Sequence, residues 1–367
     1  MQIERYSMSI KKSVKPPKEK TVTVGGEALM EGIMMRGPKG AAMSVRLANG
    51  SIETTLKQAK LPSERFKPLG WPLIRGPVSL IYSMVFGYKC MMESAEKATA
   101  GIMEEGGEEE LSKLDKWLEE HFGPKLMAAI GFVGMVLGIA IAFGLFVWAP
   151  ERLFDLIKKL SGADLVRFTA LIPGAMRALL FIGYMFVMSL LKDIRRVFQY
   201  HGAEHKSIFC YEAGLPLTVE NVKAQKRQHP RCGTSFLFVM ILMGILLSSI
   251  LYAVWPGLAA LRWLRVAIRV AQFPLLMAFG YEFIRFAGKH LNNPVMKILS
   301  APGLAMQCIT TKEPDDDIIE VGIEALKAAV GLPYEPLIPA KKEESPDDDN
   351  PPSDADRPEP AVECLEP

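Results

Sequence analysis

The apolar positions cluster into runs too long for a soluble core. Leu126 to Ala149 is 24 residues without a charge, longer than the roughly 20 residues that cross a bilayer as a helix. Gly134 and Gly138 within it form a small-xxx-small step that lets a neighbouring helix approach. Three further runs predict spans at Pro173–Leu191, Thr234–Trp255 and Ala271–Ala287. The second and fourth carry Arg177, Glu282 and Arg285, which must face other helices or a water-filled cavity rather than lipid. Pro77–Tyr88 is apolar but short and flanked by Arg75 and Lys89, the pattern of an interfacial or re-entrant helix.

The polar segments predict smaller elements. Residues 43–56 are two β-prone runs around Asn49-Gly50, a hairpin signal. Gly25 to Pro38 holds too many glycines for a plain helix or strand and reads as a tight loop bringing backbone close to something. Residues 104–120 read as an acidic amphipathic helix. A helix opens at Pro314-Asp315-Asp316-Asp317, its acids at the positive end of the dipole, and runs to about Val330.

Charge orients these elements. The whole chain is +2, yet Glu313–Pro367 holds 17 Asp/Glu against 4 Lys/Arg, a local −13, so residues 1–312 carry +15. A basic apolar body with an acidic tail excludes a uniform soluble globule. Between the second and third spans, Lys192–Gly233 carries eight Lys/Arg, which by the positive-inside rule places it in the cytoplasm. Four spans then leave both termini there. The five widely spaced cysteines are not a disulfide framework, and the first twenty residues lack the apolar core of a signal peptide.

The chemistry concentrates in that loop. In Tyr200-His201-Gly202-Ala203-Glu204-His205, on a helix continuing the second span as far as Gly214, His201 and His205 lie one turn apart on one face. The string H-x-x-E-H is the inverted zincin pattern: two imidazoles as zinc ligands and the Glu, here Glu204, as general base or as a ligand itself. His229 and Cys232 follow in His-Pro-Arg-Cys, a chelating turn before the third span. With all four as ligands the site is closed and structural; with three, a water position opens. Glu31 and Arg36 in the Gly-rich segment are candidates to complete it, Glu31 as a further ligand and Arg36 as oxyanion stabiliser. Arg262, Arg265 and Arg269 have helical spacing and read as a headgroup-contacting face.

Four strings in one order, GGEALMEGIMMRGP, FQYHGAEHK, HPRCGTSF and QCITTKEPDDDIIEVGIEAL, resemble the YqhQ-like family of bacterial multi-pass membrane proteins over roughly Val24–Val330. The resemblance implies a membrane protein, and the family is described as uncharacterised and predicted to be metal-dependent. It carries to His201, Glu204, His205, His229, Cys232, Glu31 and Arg36 here, without a substrate.

The expected fold class is thus an α-helical integral membrane protein with about four transmembrane helices, a small cytoplasmic α+β portion and a disordered acidic tail. Its expected parts are a basic arm (1–23), a cytoplasmic Gly-rich loop, hairpin and interfacial helices (24–124), a four-span domain (125–311) with its loop at 192–233, a C-terminal amphipathic helix (312–335) and the tail (336–367). The leading function is a metal-dependent, hydrolase-type enzyme of the bacterial plasma (inner) membrane, using a divalent metal such as Zn²⁺. The alternatives are a docking or assembly protein with a structural metal, and a transporter. The expected partners are the lipid bilayer and an unnamed protein partner or substrate; no nucleic acid is expected, and a homo-oligomer is left open.

Overall fold

The computed structural model of the chain describes residues 24–59, 61–105, 133–162, 165, 168–290 and 293–340. The Gly-rich segment is not a loop. It forms strands β1 (Gly25–Leu29) and β2 (Gly32–Gly37), an antiparallel hairpin turned at Met30-Glu31, with Glu31 in the left-handed region at φ 50°. Strands β3 (Gly40–Arg46) and β4 (Ile52–Lys57) follow as the hairpin legible in the sequence, Gly50 taking φ 79° in its turn. The misreading has a physical cause. Ile33 and Met35 pack into one core and Leu29 and Met34 into another, so β2 is buried on both faces and lacks the alternation that marks a strand. A Cβ on Gly37 would overlap the Ala329 backbone, so that glycine admits a helix rather than a bend.

Helix α1 (Arg75–Glu105) covers one face of the sheet and meets Leu29, Met34 and Met43 through Cys90 and Phe86. Its 31 residues extend well beyond the short interfacial segment expected; polar residues after Tyr88 continue it because their partners, such as Lys97 to Glu53, lie on the sheet. The acidic helix expected over 104–120 falls almost wholly outside the described residues. Among the described residues four helices are long and apolar enough to cross a membrane: α2 (Val133–Ser161), α3 (Leu171–Met188), then, after α4 (Lys192–Glu212), α5 (Gly233–Val254) and α6 (Arg262–Lys289). Helix α4 does not continue α3. Leu191 breaks the chain at ψ 130° and re-aims α4 along the sheet.

Helix α7 (Pro294–Thr310), which the hydrophobic pattern did not separate from the membrane domain, returns the chain to the sheet, and α8 (Asp316–Val330) closes the second face. There Ile318, Ile319 and Leu326 pack on Ile33, Met35, Tyr200 and Ala203 in the largest core cluster among the described residues. Truncating one such fully buried side chain to Ala costs roughly 2–5 kcal/mol. Gly331, at φ 83°, ends α8. The chain then adds β5 (Leu337–Ile338) beside Ile52 and Glu53, completing the order β1-β2-β3-β4-β5. A tail without structure from Pro336 is therefore corrected for its first residues: Ile338 packs against the core and Thr54 N donates to Pro336 O at 2.7 Å.

Several charges on the apolar helices are partnered. Arg265 and Arg269, expected to face headgroups, turn inward and donate to Glu151 at 2.8 and 2.7 Å. Glu151 is fully buried, and an isolated carboxylate in apolar surroundings would be far costlier than the pairing. Glu282 holds Arg75 at 2.6 Å. A chain ending at Glu335 should melt below one ending at Ala340, by about 1–2 kcal/mol of stability; equal melting temperatures would show that β5 adds nothing.

Candidate metal centre

On α4, residues Tyr200 and Ala203 face the sheet core, and the opposite stripe brings His201 and His205 together with ring centroids 4.4 Å apart. Cys232, the residue before the first turn of α5, reaches in from the His-Pro-Arg-Cys turn, its Sγ 3.1 Å from His201 Nε2. One donor atom each from His201, His205 and Cys232 lie within 4.8 Å of one another.

Each imidazole is aimed by its other nitrogen. His201 Nδ1 meets the Thr310 carbonyl at 2.9 Å, and His205 Nδ1 meets that of Arg227. A carbonyl only accepts, so both Nδ1 atoms carry hydrogens and both Nε2 atoms point to the common centre. His205 Nε2 is buried and makes no hydrogen bond, the state expected of a nitrogen shaped to hold an ion rather than a proton. The donor set of two imidazoles and one thiol fits a zinc-type ion.

Electrostatics favour an ionised sulfur. Burial opposes ionisation of Cys232, but His201 and then His205 hold its pKa well below the ordinary value. Burial alone would lower the His201 pKa; Cys232 beside it more than offsets that and takes it up to about 9. Glu204 is buried next to this trio without joining it. Its carboxylate takes a backbone hydrogen bond from Gly26 on β1, and burial raises its pKa above the usual carboxylate range.

The trio opens into a cavity of about 660 Å³ bounded by β1, α1, α4, α5 and α6. Its polar end is His201, His205, Glu204 and Cys232; its far wall is apolar, with Leu80, Met84, Phe236 and Ile284. Glu27 also lines it, a role not legible beforehand because Glu27 sat in a segment read as a loop. Burial raises the Glu27 pKa, and Glu204 adds to the rise while Arg36 opposes it.

The other candidates stand elsewhere. His229 lines the cavity but stacks on Phe209 at 4.7 Å and sits 3.9 Å from Glu212, outside the three-donor group. Glu31 is held at the β1–β2 turn by Arg196 (2.7 Å to Nη2) and by the Tyr200 hydroxyl (3.0 Å), which its positive φ makes reachable. Arg36 lies behind Glu27, donating to Ser83 at 2.9 Å and stacked 4.9 Å over Phe86, and does not line the cavity.

The stretch after α7 positions the centre. Gln307 accepts from His229 N at 2.6 Å and donates to His229 O at 2.8 Å, clamping the cysteine turn onto α7. The strap Thr310–Pro314 then crosses α4 at Gly202, where Lys312 N donates to Phe198 O at 2.8 Å. A Cβ on Gly202 would overlap the Lys312 carbonyl. Gly202→Ala should therefore destabilise the protein by about 1–3 kcal/mol in thermal unfolding and disturb the carbonyl that aims His201, whereas Gly183→Ala, with open space around it, should not destabilise. Equal effects would show that the strap gives way freely.

Comparison with known proteins places these features in one family. A family described as "Protein of unknown function (DUF1385)" matches residues 71–332. The "Uncharacterized protein YqhQ" of Bacillus subtilis (strain 168) is 33% identical over 312 residues, 84% of this chain and 92% of the relative. No solved structure matches.

Proposed function

The chain belongs to the DUF1385 family, and from the geometry of its centre we propose that it is a metal-dependent hydrolase-type enzyme at the cytoplasmic boundary of the plasma membrane. The observation that carries the reading is the buried Nε2 of His205, which makes no hydrogen bond and shares a centre with His201 and Cys232 beside a buried carboxylate and a cavity. His201, His205 and Cys232 would hold the ion, and three protein donors are the number a catalytic rather than a structural site uses. A bound divalent ion supplies Lewis acidity to an attacked carbonyl or phosphoryl oxygen.

The chain's own groups do the rest. Glu204, made more basic by burial, accepts the proton of the attacking water and returns it to the leaving group. Gly26 N–H holds that carboxylate in register. Glu27 offers a second carboxyl within the cavity, and Arg36 balances its charge from behind. Arg285, which lines the cavity, takes the place first given to Arg36 as the cation nearest a substrate. The apolar wall suits a substrate with a polar, hydrolysable end and an apolar remainder reaching between the spans. Helices α2, α3, α5 and α6 form the membrane part, with Lys192–Gly233 and both termini in the cytoplasm.

The docking alternative needs His229 to close the coordination, and its engagement with Glu212 and Phe209 speaks against that. The transport alternative needs a continuous polar cavity reaching Arg177, Glu282 and Arg285; Arg285 lines the cavity, but Arg177 and Glu282 do not, Arg177 Nε being bonded to Phe146 O and Glu282 to Arg75.

Metal content of the purified protein is the test. His201→Ala, His205→Ala and Cys232→Ser should each lose most bound ion, while Glu204→Gln and His229→Ala should keep it. Glu204→Gln should also abolish hydrolysis of acyl-chain ester or amide probes that the wild type cleaves. Undiminished metal in both histidine variants would overturn the reading. For the topology, reporter fusions at Lys223 and after Lys312 should both register cytoplasm; a signal from the far side at Lys223 would reverse the orientation.

A further inference from the structure

The opposite end of the span bundle carries a second cluster that the metal chemistry does not use. Four arginines, Arg177 from α3 and Arg262, Arg265 and Arg269 from α6, converge on two carboxylates, Glu151 and Asp155 of α2. Among the described residues the cluster therefore holds two more positive charges than negative, the partly exposed Arg262 among them, within segments apolar enough to span a membrane. Uncompensated charge of that kind is costly to bury.

The surplus is directed. Arg177 Nη2 and Arg269 Nε meet at the same oxygen, Glu151 Oε1, at 4.0 and 2.7 Å, so the two guanidinium groups are neighbours. Three donors of this group are buried and make no hydrogen bond: Arg177 Nη2, Arg269 Nη2 and the Tyr252 hydroxyl of α5. The Arg269 side chain is 7% exposed and Tyr252 also 7%. Tyr252 belongs to the small core beside Ala170 and Ala259 that roofs this end. Buried orphan donors are rare in folded proteins, and three of one kind around a net positive charge describe the lining of an anion site.

The chemistry of the donors selects the anion. Guanidinium forks present planar pairs of N–H groups that match oxygens rather than a spherical halide, and a phenol adds a third directed donor. A surplus of two positive charges suits a phosphate group better than a carboxylate. The level in the bundle agrees: Trp148, Trp255 and Trp263 all lie exposed at this end, and tryptophans concentrate where a bilayer's headgroups lie. We propose that Arg177, Arg269 and Tyr252 form a phosphate-binding site at the membrane face opposite the metal centre, with Glu151 as the scaffold that holds the arginines together. A phospholipid headgroup and free inorganic phosphate share this chemistry.

The test uses full-length protein in a phosphorus-free detergent. Native mass spectrometry and phosphorus analysis should find about one phospholipid retained per chain after delipidating washes if the source is a headgroup. If the source is free phosphate, the protein should instead emerge without lipid, and inorganic phosphate should raise its melting temperature saturably where chloride at equal ionic strength does not. Tyr252→Phe removes one donor and no existing contact, so it should weaken the retained or titrated phosphate by about fivefold while leaving the ligand-free melting temperature unchanged. Arg269→Gln should abolish binding; should it also unfold the protein, Tyr252→Phe still decides. No retained lipid together with equal responses to phosphate and chloride would overturn the proposal. A Tyr252→Phe variant that binds as well as wild type would equally overturn it.

Discussion

Backbone resting on backbone at Gly202 is the contact from which the rest of the centre follows. With no side chain there, the Thr310–Pro314 strap lies directly on α4. That seating delivers the Thr310 carbonyl to His201, places Glu313 on Lys206, and sets the start of α8 at Asp315. From there α8 buries Ile318 and Ile319 against the sheet. Site geometry and core packing are consequently one constraint: anything that lifts the strap loosens the ligand and uncovers the sheet together.

How much of this was legible follows from the physics of each part. The four apolar helices were readable because length and lack of charge are local properties. The second and third fall close to the expected ranges, whereas the first runs on to Ser161 and the fourth begins already at Arg262, where charged residues extend each helix past its apolar run. The pairing of His201 with His205 was readable because helical periodicity alone puts i and i+4 on one face. The hairpin at Asn49-Gly50 was readable from turn chemistry. By contrast, β1 and β2 were hidden because a strand buried on both faces does not alternate, and because glycines needed for close approach look like glycines needed for a turn. The inward turn of Arg265 and Arg269 could not be seen without knowing that Glu151, more than a hundred positions earlier, lies beneath them. Gln307 and Thr310 sat inside a string that carried the family resemblance, yet their work is done on residues far away in the sequence.

The molecule keeps its two concentrations of charge at opposite ends of the span bundle. One end gathers nitrogen and sulfur donors, His205 Nε2 among them without a hydrogen bond, beside carboxyls that burial holds toward the neutral form. The other gathers cations with their hydrogens unshared. Helices α5 and α6 connect the two, so the apolar stretches between them also act as spacers that keep opposite electrostatic surroundings apart.

The sheet is closed by segments from both ends of the described chain. Strands β1 to β4 come from Gly25–Lys57, while α8 and β5 come from Asp316–Ile338. During synthesis the first four strands leave the ribosome early, with local pairings that close quickly. One of their faces then stays uncovered until all four apolar helices of the described residues have been made and Asp316–Ile338 arrives. His201 cannot be aimed before Thr310 exists. A truncated or stalled product therefore displays an open apolar sheet face and an unaimed ligand set, features that chaperones and proteases recognise. The order of the segments along the chain thus makes the assembled His201, His205 and Cys232 cluster a marker of completed biosynthesis.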